Sequence, residues 1–265
     1  MRKNCDNCNF SFDNRIEFCP KCSTKNNGFE KTSIKNPLFF LDIIRSLIIL
    51  AVYIVTSYIL PTIVSLIVQS VNPEIINDSL FVLSLQFGIT MIAIGGFIVI
   101  LWNYKSIIFN SFKKWQNYVF GIVIGIAIFG LSFLVNYFLP LENSNQLVVE
   151  NMVKSYPVFA FFTVVIFGPI SEEVIYRVCL MSFGSKITKK YTRLISYIIS
   201  CVLFVLVHLN FIGENVNLIA EISAVPGYLI GALGLAFAYD YFGFTGSTIA
   251  HIVNNLISFI IIVAM

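Results

Sequence analysis

PVFAFFTVVIFGPISEEVIYRVCLMS, residues 157–182, is the stretch on which the reading of this chain turns. It is apolar over more than the roughly 20 residues that a helix needs to cross a ~30 Å hydrocarbon core. Yet it holds Glu172, Glu173 and Arg177. An ionisable side chain at mid-membrane costs roughly 2.5–3.5 kcal/mol on insertion scales, so three of them in one span mark a functional site.

The remainder of the chain is equally apolar. Hydrophobic residues make up 57% and charged residues 12% of the 265 positions, with 26 Phe. Mean hydropathy is +0.85. Further apolar runs occupy 41–70, 79–102, 117–139, 192–210, 218–239 and 244–264. This excludes a soluble globular domain and predicts an all-α, polytopic transmembrane bundle of about seven to eight spans. Asp42 and Arg45 suggest that the first run begins as an interfacial helix, and 209–217 can be a re-entrant loop. The N-terminus is polar and cysteine-bearing rather than basic and apolar, so no cleavable signal peptide is expected. The net charge of +3 argues for no particular partner, and no nucleic-acid partner is expected.

Lysine and arginine orient the spans. Residues before 38, the 103–116 segment (Lys105, Lys113, Lys114) and the segment after 182 (Lys186, Lys189, Lys190, Arg193) are rich in them. Between Pro140 and Tyr156 there is only Lys154, and none lies near Glu214. The positive-inside rule puts the N-terminus in the cytoplasm of a multi-pass cell-membrane protein.

Three parts follow: a polar module at 1–25, a linker at 26–37 and a membrane domain at 38–265. Cys5, Cys8, Cys19 and Cys22 are spaced C-x2-C-x10-C-x2-C. Two such knuckles wrap four thiolates around one Zn²⁺, and a cytosolic location argues against disulfides. About 25 residues bury little core, so the metal would supply the folding energy. All four ligand positions are filled, which makes this zinc structural. Cys179 and Cys201 lie in apolar runs and read as core residues.

At 100° per residue, Glu173 and Arg177 are about 40° apart on a helix and can pair, whereas Glu172 and Arg177 are about 140° apart. Glu172 is left without an intrahelical partner, and desolvation makes such a carboxylate a better proton acceptor. The chain's two histidines join it at membrane depth: His208 in FVLVHLN and His251 in HIVNN, the latter sharing a helix face with Asn255. Asn254 points elsewhere. His208 reaches Glu172 only if its helix is tilted, short, or ends within the membrane. Two chemistries fit. In one, Glu172 and His208 deprotonate a water while His251 and Asn255 donate to the oxyanion. In the other, Glu172 and the two histidines hold a catalytic Zn²⁺. Both hydrolyse a carbonyl compound, most plausibly a peptide.

S-E-E-x-x-x-R at 171–177, F-x-x-x-H at 204–208 and H-x-x-x-N at 251–255, in that order on successive helices, resemble the three motifs of the CPBP family of intramembrane endopeptidases. That family includes type II CAAX prenyl proteases and bacteriocin-processing or self-immunity (Abi) proteins. The resemblance covers about 157–265. It implies a protease domain acting on a membrane-associated peptide or protein, with its site near the cytoplasmic side in the CAAX enzymes. It also implies Glu172, Glu173, Arg177, His208, His251 and Asn255 as functional positions. Metal-dependent and metal-free glutamate mechanisms are both described for such enzymes. Arg177 adds positive charge beside the glutamates, which favours the metal-free one here. The zinc ribbon departs from the minimal family pattern. A non-catalytic immunity or scaffold protein and a proton-coupled transporter are the competing readings; the lack of inverted repeats counts against the transporter.

Overall fold

The computed structural model describes residues 2–13, 19, 22, 24, 26, 37–71, 88–89, 91, 93–97, 105–139, 141–181, 192–211 and 216–265. Most of the 26–37 linker, most of the 79–102 run, the basic segment after 182, Glu214 and the side chains of Asp42 and Arg45 lie outside them. Beyond a two-stranded hairpin at the N-terminus, the described chain is a helical bundle.

Helix α1 (Pro37–Ile54) passes through a π-helical step at Val55–Ile59 into α2 (Leu60–Val71). The 103–116 segment is largely a helix, α3 (Lys105–Phe112), closed by a turn at Lys113. The segment between 140 and 156 is likewise ordered as α5 (Ser144–Ser155), capped reciprocally by Asn143 and Gln146. Between them stands α4 (Trp115–Phe138), whose 24 residues span about 36 Å.

Helix α6 (Pro157–Met181), α4 and α8 (Leu218–Ala264) are long and apolar enough to cross a membrane, and they are the three such helices among the described residues. Helix α7 (Thr192–Leu206) has 15 described residues, about 22 Å. The runs 218–239 and 244–264, read as separate spans, are two helical segments meeting at a kink at Gly243, where φ is 68°; the first runs antiparallel to α4, Gly234 at Ile128 and Gly227 at Ser132, and the second parallel to it. Left-handed backbone there is cheap only for glycine. Ser111 Oγ accepts the Thr245 N–H at 2.8 Å just past the break, and Asn117 Nδ2 donates to the Ser111 carbonyl at 2.8 Å.

The second half of α8 lies closely along α4. A Cβ at Gly121 would come within 2.8 Å of the Gly246 carbonyl, and one at Gly125 within 2.5 Å of that of Ala250. Small residues four apart let helix backbones approach where lipid supplies no hydrophobic drive between helices. Outward-facing apolar side chains such as Val123, Ile126, Phe237 and Ile260 are exposed, as a lipid-facing surface requires. The core between α6, α7 and α8 contains Ile175, Tyr176, Leu235 and Ala236, together with Cys179 and Cys201.

Candidate active site

Helix α6 does not keep the regular α-helical pitch assumed from sequence. It widens into π turns at Phe161–Phe167 and Glu173–Met181, separated by a short α segment at Gly168–Glu172. The Gly168 N–H reaches back to the Thr163 carbonyl, five residues away. The Val164 carbonyl would then need the N–H of residue 169, which is proline and has none. Asn255 Nδ2 fills the gap, donating to Val164 O at 2.9 Å. Asn254 Nδ2 in turn donates to Asn255 Oδ1 at 3.0 Å, so Asn254 is turned toward the site and not away from it. Asn255, expected as an oxyanion donor, thus already commits one amide hydrogen to α6.

Glu173 and Arg177 are fully buried and approach to 3.4 Å, Oε2 to Nε, at ion-pair range without a hydrogen-bond angle. Arg177 donates from Nη1 to Ser200 Oγ at 2.8 Å and from Nη2 to the Ala232 carbonyl at 3.3 Å, and its guanidinium lies 5.2 Å from the Phe204 ring centre. The guanidinium is therefore spent on Glu173 and the core behind the site. It does not face the site directly, so its charge is a weaker argument against a metal than its spacing implied.

Glu173 Oε1 meets His251 Nδ1 at 3.0 Å. A carboxylate only accepts, so His251 carries its hydrogen on Nδ1. By the same logic His208 Nδ1 donates to the Phe204 carbonyl at 2.6 Å. Each ring then turns Nε2 toward one atom: Glu172 Oε2 lies 3.8 Å from His208 Nε2 and 3.7 Å from His251 Nε2. These gaps are too long for hydrogen bonds and leave room for one small bridging group. Glu172 Oε2 is buried and has no hydrogen-bond partner among the described residues. His208 arrives there because α7 ends at Leu206 and His208 sits in the following turn. The short-helix route is the one the structure takes.

The three groups face a cavity of about 890 Å³, shared with Asn136, Asn145, Asn254 and Asn255. Two residues that sequence reasoning missed hold its His208 wall. Glu221, 1% exposed, accepts the Ser144 N–H at 2.8 Å on Oε1 and the Asn210 N–H at 2.9 Å on Oε2. Asn143, fully buried, donates to Glu221 Oε2 and, at 2.9 Å, to the His208 carbonyl. Its Oδ1 accepts the Tyr228 hydroxyl, and the Tyr228 ring packs 4.9 Å from that of His208. A lone carboxylate in an apolar run, the signal that flagged Glu172, was equally present at Glu221.

At the N-terminus, β1 (Arg2–Asn4) and β2 (Ser11–Asp13) pair antiparallel, Asn4 opposite Ser11. Asn9 takes φ 53° in the first knuckle, a left-handed turn that asparagine tolerates. The sulfurs of Cys5, Cys8, Cys19 and Cys22 all lie within 4.8 Å of one another, with Cys5 to Cys22 at 3.4 Å and Cys8 to Cys19 at 3.6 Å. Tetrahedral Zn–S bonds of ~2.3 Å set sulfurs about 3.8 Å apart, so the cluster fits zinc. Hydrogen bonding to the Thr24 hydroxyl and backbone lowers the Cys22 thiol to about 6, which favours the metal-binding thiolate at neutral pH. Among the described residues this is the one such group of candidate metal ligands gathered within 4.8 Å of one another.

No curated protein and no solved structure matches the chain. Residues 154–257, which run from the end of α5 past Asn255 and hold all six motif residues of the site, match the family described as type II CAAX prenyl endopeptidase Rce1-like.

Proposed function

We propose that the protein is an intramembrane endopeptidase in which Glu172 activates a water for attack on a peptide bond of a membrane-associated substrate. The family supports CAAX-type endopeptidase activity in general terms. The observation that carries the mechanism is the buried, unpartnered Glu172 Oε2 set between two imidazole Nε2 atoms.

A water at this point donates one hydrogen to Glu172 and the other to His208 Nε2, leaving a lone pair for the carbonyl carbon. Glu172 takes the proton as the tetrahedral intermediate forms and returns it to the leaving amine. His251, held by the Glu173 carboxylate through Nδ1, donates from Nε2 when protonated and stabilises the oxyanion. The second amide hydrogen of Asn255 is the other donor. Arg177 is a positioning residue: it neutralises Glu173, which orients His251. A Zn²⁺ held by Glu172, His208 and His251 would supply the same activated water. The zinc ribbon serves as a structural or adaptor module.

The test is cleavage of a pool of internally quenched peptides by protein reconstituted in liposomes. Glu172→Ala and His208→Ala each abolish cleavage while the fold persists by circular dichroism and thermal unfolding. Full activity in either variant removes the proposal.

A further inference from the structure

We propose that the cavity opens on the extracytoplasmic face and takes from there an internal peptide segment, not a free carboxyl terminus. The word substrate rests on the peptidase reading above; the side on which the cavity opens does not.

Two helices fix the direction of the cavity. Helix α4 and the second half of α8 are pinned together near their starts, where Ser111 Oγ receives the Thr245 N–H at 2.8 Å. From that level both run the same way, since Gly121 meets Gly246 and Gly125 meets Ala250. Neither lines the cavity near its start. On α4 the lining begins at Ile128 and ends at Asn136; on α8 it begins at His251 in this half and continues through Asn255 and Ile262. The cavity therefore deepens at the catalytic groups and opens toward the far end of α4, where Leu139, Glu142 and Gln146 form its rim.

Charge assigns that end to a side of the membrane. The exposed Lys113 and Lys114 precede α4 at the closed end, about 36 Å of helix away. The N-terminal stretch and the segment after 182 add basic residues that belong to the same side by span order. At the rim end, segment 139–156 holds only Lys154, and that lysine is paired with Glu150. The positive-inside rule makes the lysine side cytoplasmic and the mouth extracytoplasmic. His251 lies about two helical turns past the closed end of its segment, so the site itself stays cytoplasm-proximal, as the family resemblance implies, and it is the mouth that faces outward.

The walls narrow the substrate. Their charged side chains are Glu142, Glu150 and Glu172, with neither Lys nor Arg among the lining residues. A substrate carboxylate drawn into this space would be desolvated beside Glu172, with no Lys or Arg and only the two imidazoles committed to the reaction to offset it. A chain terminus is disfavoured, and a segment with both ends outside the cavity is not.

Full-length Glu142→Cys, Val148→Cys and Lys114→Cys, compared with the parent protein in intact cells, decide the face. A membrane-impermeant maleimide labels Glu142→Cys or Val148→Cys without permeabilisation and Lys114→Cys only after it. Labelling of Lys114→Cys in intact cells, or of neither rim variant, overturns the assignment. In right-side-out vesicles the peptide pool is cut from outside, and a carboxamide at the C-terminus raises kcat/KM at least tenfold over the free acid. Preference for the free acid overturns the internal-segment claim. Absence of cleavage in both vesicle orientations counts against the peptidase reading alone, because labelling still reports the face.

Discussion

Removing the Glu221 carboxylate tests whether His208 is held in place by residues remote from the reacting atoms. Glu221 accepts two backbone N–H groups, from Ser144 and Asn210, and the Asn143 amide, all in a nearly water-free setting. In Glu221→Ala both N–H groups lose their acceptor, at about 1–3 kcal/mol each, so the total cost is about 2–6 kcal/mol. Part of that cost appears as lost stability. The rest is relieved by movement of the 207–211 turn, which carries His208 away from Glu172. A displaced His208 no longer shares the water, so kcat falls at least tenfold, about 1.4 kcal/mol of barrier, while KM changes less than threefold. Glu221→Gln keeps one acceptor oxygen but turns an N–H toward the second donor, so it falls between the two. The assay pairs thermal unfolding in detergent with kcat and KM on quenched peptides in liposomes. Wild-type stability together with wild-type kcat in Glu221→Ala would refute the reasoning.

Three further outcomes follow from particular contacts. Arg177→Met leaves Glu173 buried without its cation and costs about 3–5 kcal/mol, and adding Glu173→Gln restores most of the stability but not the activity, as read from paired thermal melts and cleavage assays. Gly243→Ala places a side chain at φ 68° and its Cβ 2.9 Å from Ser111 Oγ, so about 1–3 kcal/mol of stability is lost, measurable as a lower Tm in detergent. The full-length protein binds zinc through the ribbon, and elemental analysis finds it missing from Cys19→Ser.

Much of this architecture is legible in the chain because membranes punish exceptions. Glu172, Glu173, Arg177, His208 and His251 stand out only because apolar surroundings make polar groups expensive. The Glu173–Arg177 pairing follows from helical spacing and survives the widening of α6, since residues four apart stay on one face in either helix type. Other features are hidden for physical reasons. The π turns depend on Pro169 removing a donor and on Asn255, 91 residues away, supplying one. No local pattern announces such a partnership, so Asn255 reads from sequence as a free oxyanion donor. Glu221 and Asn143 sit near helix N-termini, where polar side chains are commonplace, and their clamp on the His208 turn exists only once α5, α7 and α8 meet. The break at Gly243 is likewise visible as a gap between apolar runs, but its left-handed backbone is not.

The most direct test of the central claim is kcat for Glu172→Gln, which keeps the shape of the side chain and removes its capacity to accept a proton. Loss of a positioned general base costs roughly 10²–10⁴-fold. The account predicts a fall in that range with unchanged thermal stability and unchanged zinc content. Turnover within a few-fold of wild type would contradict it.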